Sequence, residues 1–278
     1  MFKQRVITAI LLLAILLPAL FYPTPIPFSA VALLLIAAGA WEWGRLNGYG
    51  PTASLVAGFA CVILCAMSWD LGMLNQPLPL LWRLAGAAWV LVGAWLLRGG
   101  VAGWTRIPRT LRLVVGIAAL WLAWLAVAQA RFMGIEFLLS LLLLVWVADI
   151  GAYFAGKALG GRFSKGKLAL AISPGKSWEG VWGGMVGVLV MCIAWLALDT
   201  TGQSLYARLA AQYGLWVTLI AMIFLAAFSV VGDLVESLVK RSAGAKDSSA
   251  LLPGHGGVLD RVDALVPVLP LALMLVTV

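Results

Sequence analysis

The sequence predicts an all-α, polytopic integral membrane protein, and three observations carry that prediction. Only 11% of its 278 residues are charged and 63% are hydrophobic, whereas a soluble domain carries about 25% charged residues. Apolar runs of the roughly 20 residues that a spanning helix needs recur along the whole chain. Nowhere does polarity alternate over the ~10-residue stretches that mark barrel strands. In lipid a segment has to satisfy its own backbone polar groups, so long apolar runs become helices.

Nine spans follow in order: Arg5–Tyr22, Pro27–Leu46, Ala53–Met73, Leu80–Leu97, Leu111–Ala130, Ile135–Ala155, Val181–Leu198, Leu215–Val235 and Val262–Val278. Proline, glycine and charge sit mostly between them. The first, after "MFKQR", resembles a secretory signal peptide. Its apolar run continues past Pro18 and eight further spans follow, so it reads as an uncleaved anchor. The second holds "AWEWGRL", where Glu42 and Arg45 stand close enough to pair along the helix. Cys61, Cys65 and Cys192 lie inside apolar runs with no metal spacing, and read as small buried hydrophobes. There is no internal repeat, and one membrane domain, 1–278, is the simplest division.

With the N-terminus in the cytoplasm, this order of spans places sixteen of the 19 Lys and Arg residues on the cytoplasmic side and three, Arg83, Arg131 and Arg208, opposite. That is the positive-inside pattern. It accounts for most of the net charge of +8 without nucleic-acid binding.

Two loops share that basic face: "GKALGGRFSKGKLALAISPGKSWEG" and "KRSAGAKDSSALLPGHGGVLDRVDAL". Asp233, Glu236, Ser237 and Lys240 recur at three- and four-residue steps and so share a helical face. Asp260 and Asp263 share another, and Asp149 sits near the same end of the sixth span. Acids at membrane depth are functional candidates, and carboxylates converging from several helices suit a hard cation such as Mg²⁺. The alternative is local pairing, Glu236 with Lys240 and Asp260 or Asp263 with Arg261. In "PGHGG", Gly254, Gly256 and Gly257 flank the lone His255 and let backbone N–H groups approach an anion. Lys165, Lys167, Lys176, Lys240, Arg241 and Lys246 add positive charge. Together these suit a nucleoside triphosphate with its metal, though no GxxxxGK[ST] loop occurs and a solvated surface loop would look similar. Ser173 or Ser177 would cap the seventh span, and Glu179 would favour its N-terminal dipole.

The 27 positions "SLVKRSAGAKDSSALLPGHGGVLDRVD", Ser237 to Asp263, resemble the signature of phosphatidate cytidylyltransferases (CDP-diacylglycerol synthases). "DIGAYFAGK", "KLALAISPGKSWEG" and "GDLVES" are similar to further family blocks. The likeness covers the chain from about Asp149 onward. Ser177 stands where threonine is usual, and Ala264 where serine often follows the last aspartate.

The resemblance implies CTP and phosphatidate as substrates, CDP-diacylglycerol and pyrophosphate as products, and Mg²⁺, with room for a second cation. It further implies a homodimer in a bacterial-type inner membrane, with 1–134 as N-terminal helices and 135–278 as the catalytic part. On it, Asp233, Asp260 and Asp263 are expected to hold the metal, with Glu236 and Asp149 beside them. Lys240, Arg241, Lys246, His255 and Arg261 are expected to be catalytic. Ser173, Lys176, Ser237, Gly254, Gly256 and Gly257 are expected to bind substrate. Two other functions fit parts of the pattern. A CTP-dependent lipid kinase would give phospholipid and CDP instead. An ion-coupled transporter would line a path with acids, but repeats and midplane sites mark that class, whereas this sequence has no repeat and its strongest cluster lies at one face.

Overall fold

The computed structural model describes residues 2–164 and 166–277, so Lys165 lies outside the described residues. The elements run α1 (Phe2–Phe21), α2 (Ile26–Leu46), α3 (Pro51–Asp70), α4 (Pro79–Arg106), α5 (Arg109–Met133), α6 (Ile135–Leu159), β1 (Lys167–Ala169), β2 (Ser173–Ser177), α7 (Trp178–Leu198), α8 (Leu205–Tyr213), α9 (Leu215–Ser242), α10 (Leu259–Val262) and α11 (Leu265–Val276). Eight of these, α1 to α7 and α9, are long and apolar enough to cross a membrane. This is an all-α polytopic membrane protein.

Loops meet at two opposite ends of the helices. At one end Arg5 Nε donates to Gly254 O at 3.0 Å, Arg109 Nε to Asn47 O at 3.2 Å and Arg241 Nε to Ile172 O at 3.2 Å. At the other, Arg131 Nε donates to Leu20 O at 3.0 Å and Gln129 Nε2 to Met73 O at 2.6 Å. The two basic loops singled out in the sequence both lie at the first end. α4 breaks near it, at Gly100, whose φ of 59° no other residue type adopts readily.

The ninth expected span, Val262–Val278, differs from the other eight. α10 has 4 residues and α11 has 12, so α11 extends about 18 Å against a hydrocarbon core of about 30 Å. Pro267 explains the interruption. It has no N–H for the carbonyl of Asp263, four residues earlier, and in the break itself the amide of Ala264 donates to Asp263 Oδ1 at 2.8 Å. α11 is nonetheless central. Residues Val266 to Leu273 are buried, and it packs on α4, α5 and α9. α9 reaches it closely because a side chain at Gly232 would overlap the Asp263 carbonyl and the Pro267 ring.

α6 and α7 form the most intimate pair. Cβ atoms at Gly151 and Gly184 would stand 2.8 Å from Gly183 O and 2.6 Å from Ala148 O. Small residues at such spacing let helix backbones touch in lipid, where dispersion replaces the hydrophobic drive. One consequence is that Asp149, on α6, is brought beside the segment that enters α7.

Candidate active site

The last turns of α9 supply the frame. Asp233, Glu236, Ser237 and Lys240 occupy one face of it, as their spacing predicts. Lys240 and Arg241 lie in its last turn, where positive charge meets the negative end of the helix dipole.

β1 and β2, which sequence periodicity did not reveal, form an antiparallel hairpin that faces Lys167 with Ser177 and Ala169 with Ser173. Ser173 is therefore a strand residue, and Ser177 alone caps α7, accepting from Gly180 N at 3.2 Å. Arg241 ties the hairpin to α9 through Ile172 O, and β2 then carries Lys176 to Asp233, Nζ to Oδ2 at 2.5 Å. Ser237 Oγ donates to the other oxygen, Asp233 Oδ1, at 3.2 Å. Asp149, Tyr153, Gly156, Lys176, Ser177 and Asp233 line an open cleft of about 450 Å³. Glu179 does more than favour a dipole: its Oε1 accepts from Phe163 N at 3.0 Å and Ser164 N at 2.7 Å, folding the preceding loop onto α7.

Lys240 is the second centre. Its Nζ lies 2.5 Å from Glu236 Oε2 and 2.7 Å from Asp260 Oδ1. The expected Glu236–Lys240 pairing is present, whereas Asp260 turns to Lys240 and not to Arg261. Arg261 instead donates twice to the backbone oxygen of His255, at 2.9 and 2.5 Å. Asp260 Oδ2 accepts from Gly257 N at 2.7 Å, Ser248 N at 2.9 Å and Ser248 Oγ at 3.0 Å. Burial works against the charge of Asp260, but the Lys240 and Gly257 hydrogen bonds outweigh it and hold the carboxyl at about 2.

The "PGHGG" loop is shaped around these acids. Gly256 has φ +83°, and a Cβ there would stand 2.6 Å from Asp260 Oδ2. A Cβ at Gly257 would overlap Ser248 Oγ and a carboxylate oxygen of Glu42. The amide of Gly257 is committed to Asp260, so glycine here serves to seat carboxylates as well as to approach a ligand. Gly254 O is held by Arg5, Lys246 is exposed on the loop, and the ring Nδ1 of His255 is buried without a hydrogen-bond partner.

Five acids and two lysines thus form one array. Asp233 acts electrostatically on both Asp149 and Asp263, and Asp263 on Glu236. Carboxyl groups outnumber the lysines, and Glu236 Oε1 is buried with no hydrogen-bond partner. The donors are all hard oxygens, the kind Mg²⁺ takes. Among the described residues no three His, Cys, Asp or Glu side chains are close enough to form a cage. Such a donor set fits Mg²⁺ held by one or two carboxylates and completed by substrate phosphates and water, which is its usual habit.

One site residue was not read correctly from the sequence. Glu42 does not pair with Arg45, whose guanidinium lies over the Trp41 ring at 5.0 Å. It is fully buried and takes four hydrogen bonds from the residues around the glycine loop. The signal was available: an acid inside an apolar run.

A model of the Cytidylyltransferase family matches residues 3–278. The chain belongs to the Cytidylyltransferase family. Among Cytidylyltransferase relatives, the phosphatidate cytidylyltransferase of Pseudomonas aeruginosa is 40% identical over 274 residues, 97% of this chain and 95% of its own. That of Haemophilus influenzae is 35% identical over 289 residues, 97% of this chain and 96% of its own. That of Brucella melitensis is 47% identical over 133 residues, 48% and 44% of the two chains. The Cytidylyltransferase match takes in α1 to α5, which the sequence motifs, beginning near Asp149, did not cover.

Proposed function

We propose that this chain is a phosphatidate cytidylyltransferase: CTP and phosphatidate give CDP-diacylglycerol and pyrophosphate. The carrying observation is the array of Lys176, Asp233, Lys240 and Asp260 at the basic end of the helices, in a chain of this family. A lipid phosphate and a soluble nucleotide meet only at such an end.

A phosphate oxygen of phosphatidate attacks the α-phosphorus of CTP. A new P–O bond forms, the bond from the α-phosphorus to the bridging oxygen breaks, and pyrophosphate leaves with that electron pair. The phosphate monoester is already anionic near neutral pH, so no side chain has to remove a proton, and His255 serves by position. Such transfers depend on alignment and on charge placed where charge develops. Lys176 is partly exposed and can exchange Asp233 for a phosphate. Lys240 fixes Glu236 and Asp260, while Arg241, Lys246 and Arg261 offer charge at the rim for the departing pyrophosphate. Ser173, Ser237 and the amides of Gly254 and Gly256 border the substrates. Asp233, Asp260 and Asp263 would hold Mg²⁺, with Glu236 and Asp149 beside them, and it would supply Lewis-acid charge to the phosphates.

The reading includes residues 1–278 as one membrane domain in an inner membrane, the basic end and the N-terminus in the cytoplasm, and two copies per enzyme. The positive-inside distribution supports the orientation. A cysteine at Lys246, in a cysteine-free background, should resist an impermeant thiol reagent in intact cells, and one at Gln203 should react; the reverse would refute it. Cross-linking in detergent should give a dimer, and a monomer at every concentration would refute the pairing.

Two labels of CTP test the activity. With purified chain, phosphatidate and Mg²⁺, α-phosphate label should enter the lipid and γ-phosphate label should leave as pyrophosphate. γ-label in the lipid would mean a CTP-dependent lipid kinase instead.

A further inference from the structure

We infer that Glu42, on α2, is a positioning residue for the reaction: it clasps both ends of the glycine–histidine loop and thereby sets the place of Asp260. Glu42 is fully buried. Its Oε1 accepts from Ser249 Oγ at 2.5 Å and Val258 N at 2.9 Å. Its Oε2 accepts from Leu259 N at 2.8 Å, and the single proton of Ser248 Oγ is shared between Oε2, at 3.1 Å, and Asp260 Oδ2, at 3.0 Å. Ser248 and Ser249 open the loop, and Val258 and Leu259 close it. One carboxylate therefore pins entry and exit together, next to the residue that pairs with Lys240.

The chemistry of the grip is specific. Four donors converge on two oxygens, and no Lys or Arg pairs with this carboxylate among the described ion pairs. A carboxylate accepts all four. The amide of glutamine would turn an NH₂ towards two other donors, leaving buried groups unsatisfied. Gly257 belongs to the same device, since any side chain there would overlap Glu42. Ser248 joins the clasp to the reacting array, because its amide donates to Asp260 Oδ2 at 2.9 Å. α1 helps from the other side, Thr8 Oγ1 donating to Pro253 O at 2.9 Å. The N-terminal helices thus hold the loop from two sides, through Glu42 of α2 and Thr8 of α1.

This inference rests on the proposed transferase reaction, so its test has a readout free of that reaction. Glu42→Gln and, separately, Ser249→Ala, whose hydroxyl meets Glu42 and not Asp260, are purified in detergent beside the wild-type chain. Amide hydrogen exchange is followed by mass spectrometry. Exchange over 248–259 should quicken in both while the α3–α7 peptides stay as in wild type. CDP-lipid turnover should fall by about 10²-fold in kcat, the scale of a misplacement near 1 Å, with KM for CTP changed far less. Combining the changes should add little, because both release one clasp. Unchanged exchange over 248–259 in folded Glu42→Gln would overturn the clasp. Faster exchange with wild-type kcat would overturn its positioning role, as would exchange that rises evenly over all helices. A wild-type chain that forms no CDP-lipid, with the local exchange change still present in the variants, would refute the transferase reading and leave the clasp standing.

Discussion

Lys240 and Asp260, twenty residues apart, meet at 2.7 Å across the two ends of the glycine–histidine loop. The same ammonium also holds Glu236 at 2.5 Å, and all three side chains are nearly buried. Removing the lysine would leave two buried carboxylates facing each other. Loss of one partner from a buried pair costs about 3–5 kcal/mol. Lys240→Gln is expected to lower thermal stability in detergent by about 3 kcal/mol and to abolish turnover. Lys240→Arg should fail to restore turnover, since a planar fork cannot take the place of a compact ammonium between two acids. Thermal unfolding and CDP-lipid assays check both.

Lys176 and Asp233 present the opposite case. Their side chains keep 25% and 34% of their exposure, and an open pair is worth about 0–1 kcal/mol. Lys176→Gln should leave the unfolding temperature almost unchanged, yet lower kcat/KM by about 10²-fold or more, roughly 3 kcal/mol of barrier. Near-wild-type kcat/KM would remove Lys176 from the substrate cleft.

The acid limb of stability should carry the mark of Asp260. Its carboxyl is held at about 2 against an ordinary 3.8. A depressed carboxyl contributes stability that is present above its unfolded value and is lost as pH falls through the folded one. Wild type should therefore lose stability between about pH 4 and pH 2. Asp260→Asn should show a shallower slope there, and little pH dependence from this position above pH 5. Unfolding midpoints measured across pH 2–6 distinguish the two; equal slopes would mean that Asp260 is not held by its hydrogen bonds.

Local periodicity made much of this legible. The steps between Asp233, Glu236, Ser237 and Lys240 put them on one face of α9, and the charge pattern brought the two polar loops to one end. Apolar run length marked the first eight long helices. What stayed hidden was what depends on contacts between distant parts of the chain. Glu42 reaches residues 206 and 217 positions away, and no spacing rule connects them. The hairpin of β1 and β2 is too short for alternation to register, yet it delivers Lys176. The short α11 was readable in part, since Pro267 stands in the sequence, but its effect on the Asp263 carbonyl required the helix to be built. Pairing of Asp260 or Asp263 with Arg261 is the alternative that local spacing offers; Lys240 takes Asp260 because the loop brings the end of α9 to α10.

The central claim is that this array of carboxylates and lysines is the catalytic centre and that its acids serve the metal. The most direct test is turnover of Asp233→Asn and Asp260→Asn, which keep shape and lose charge, across a Mg²⁺ titration, with folding followed by gel filtration in detergent. Both variants should elute as wild type and lose about 10³-fold or more in turnover, roughly 4 kcal/mol of barrier, which high Mg²⁺ does not restore. A folded variant that turns over near the wild-type rate, or a wild-type chain indifferent to removal of divalent cations, would contradict it.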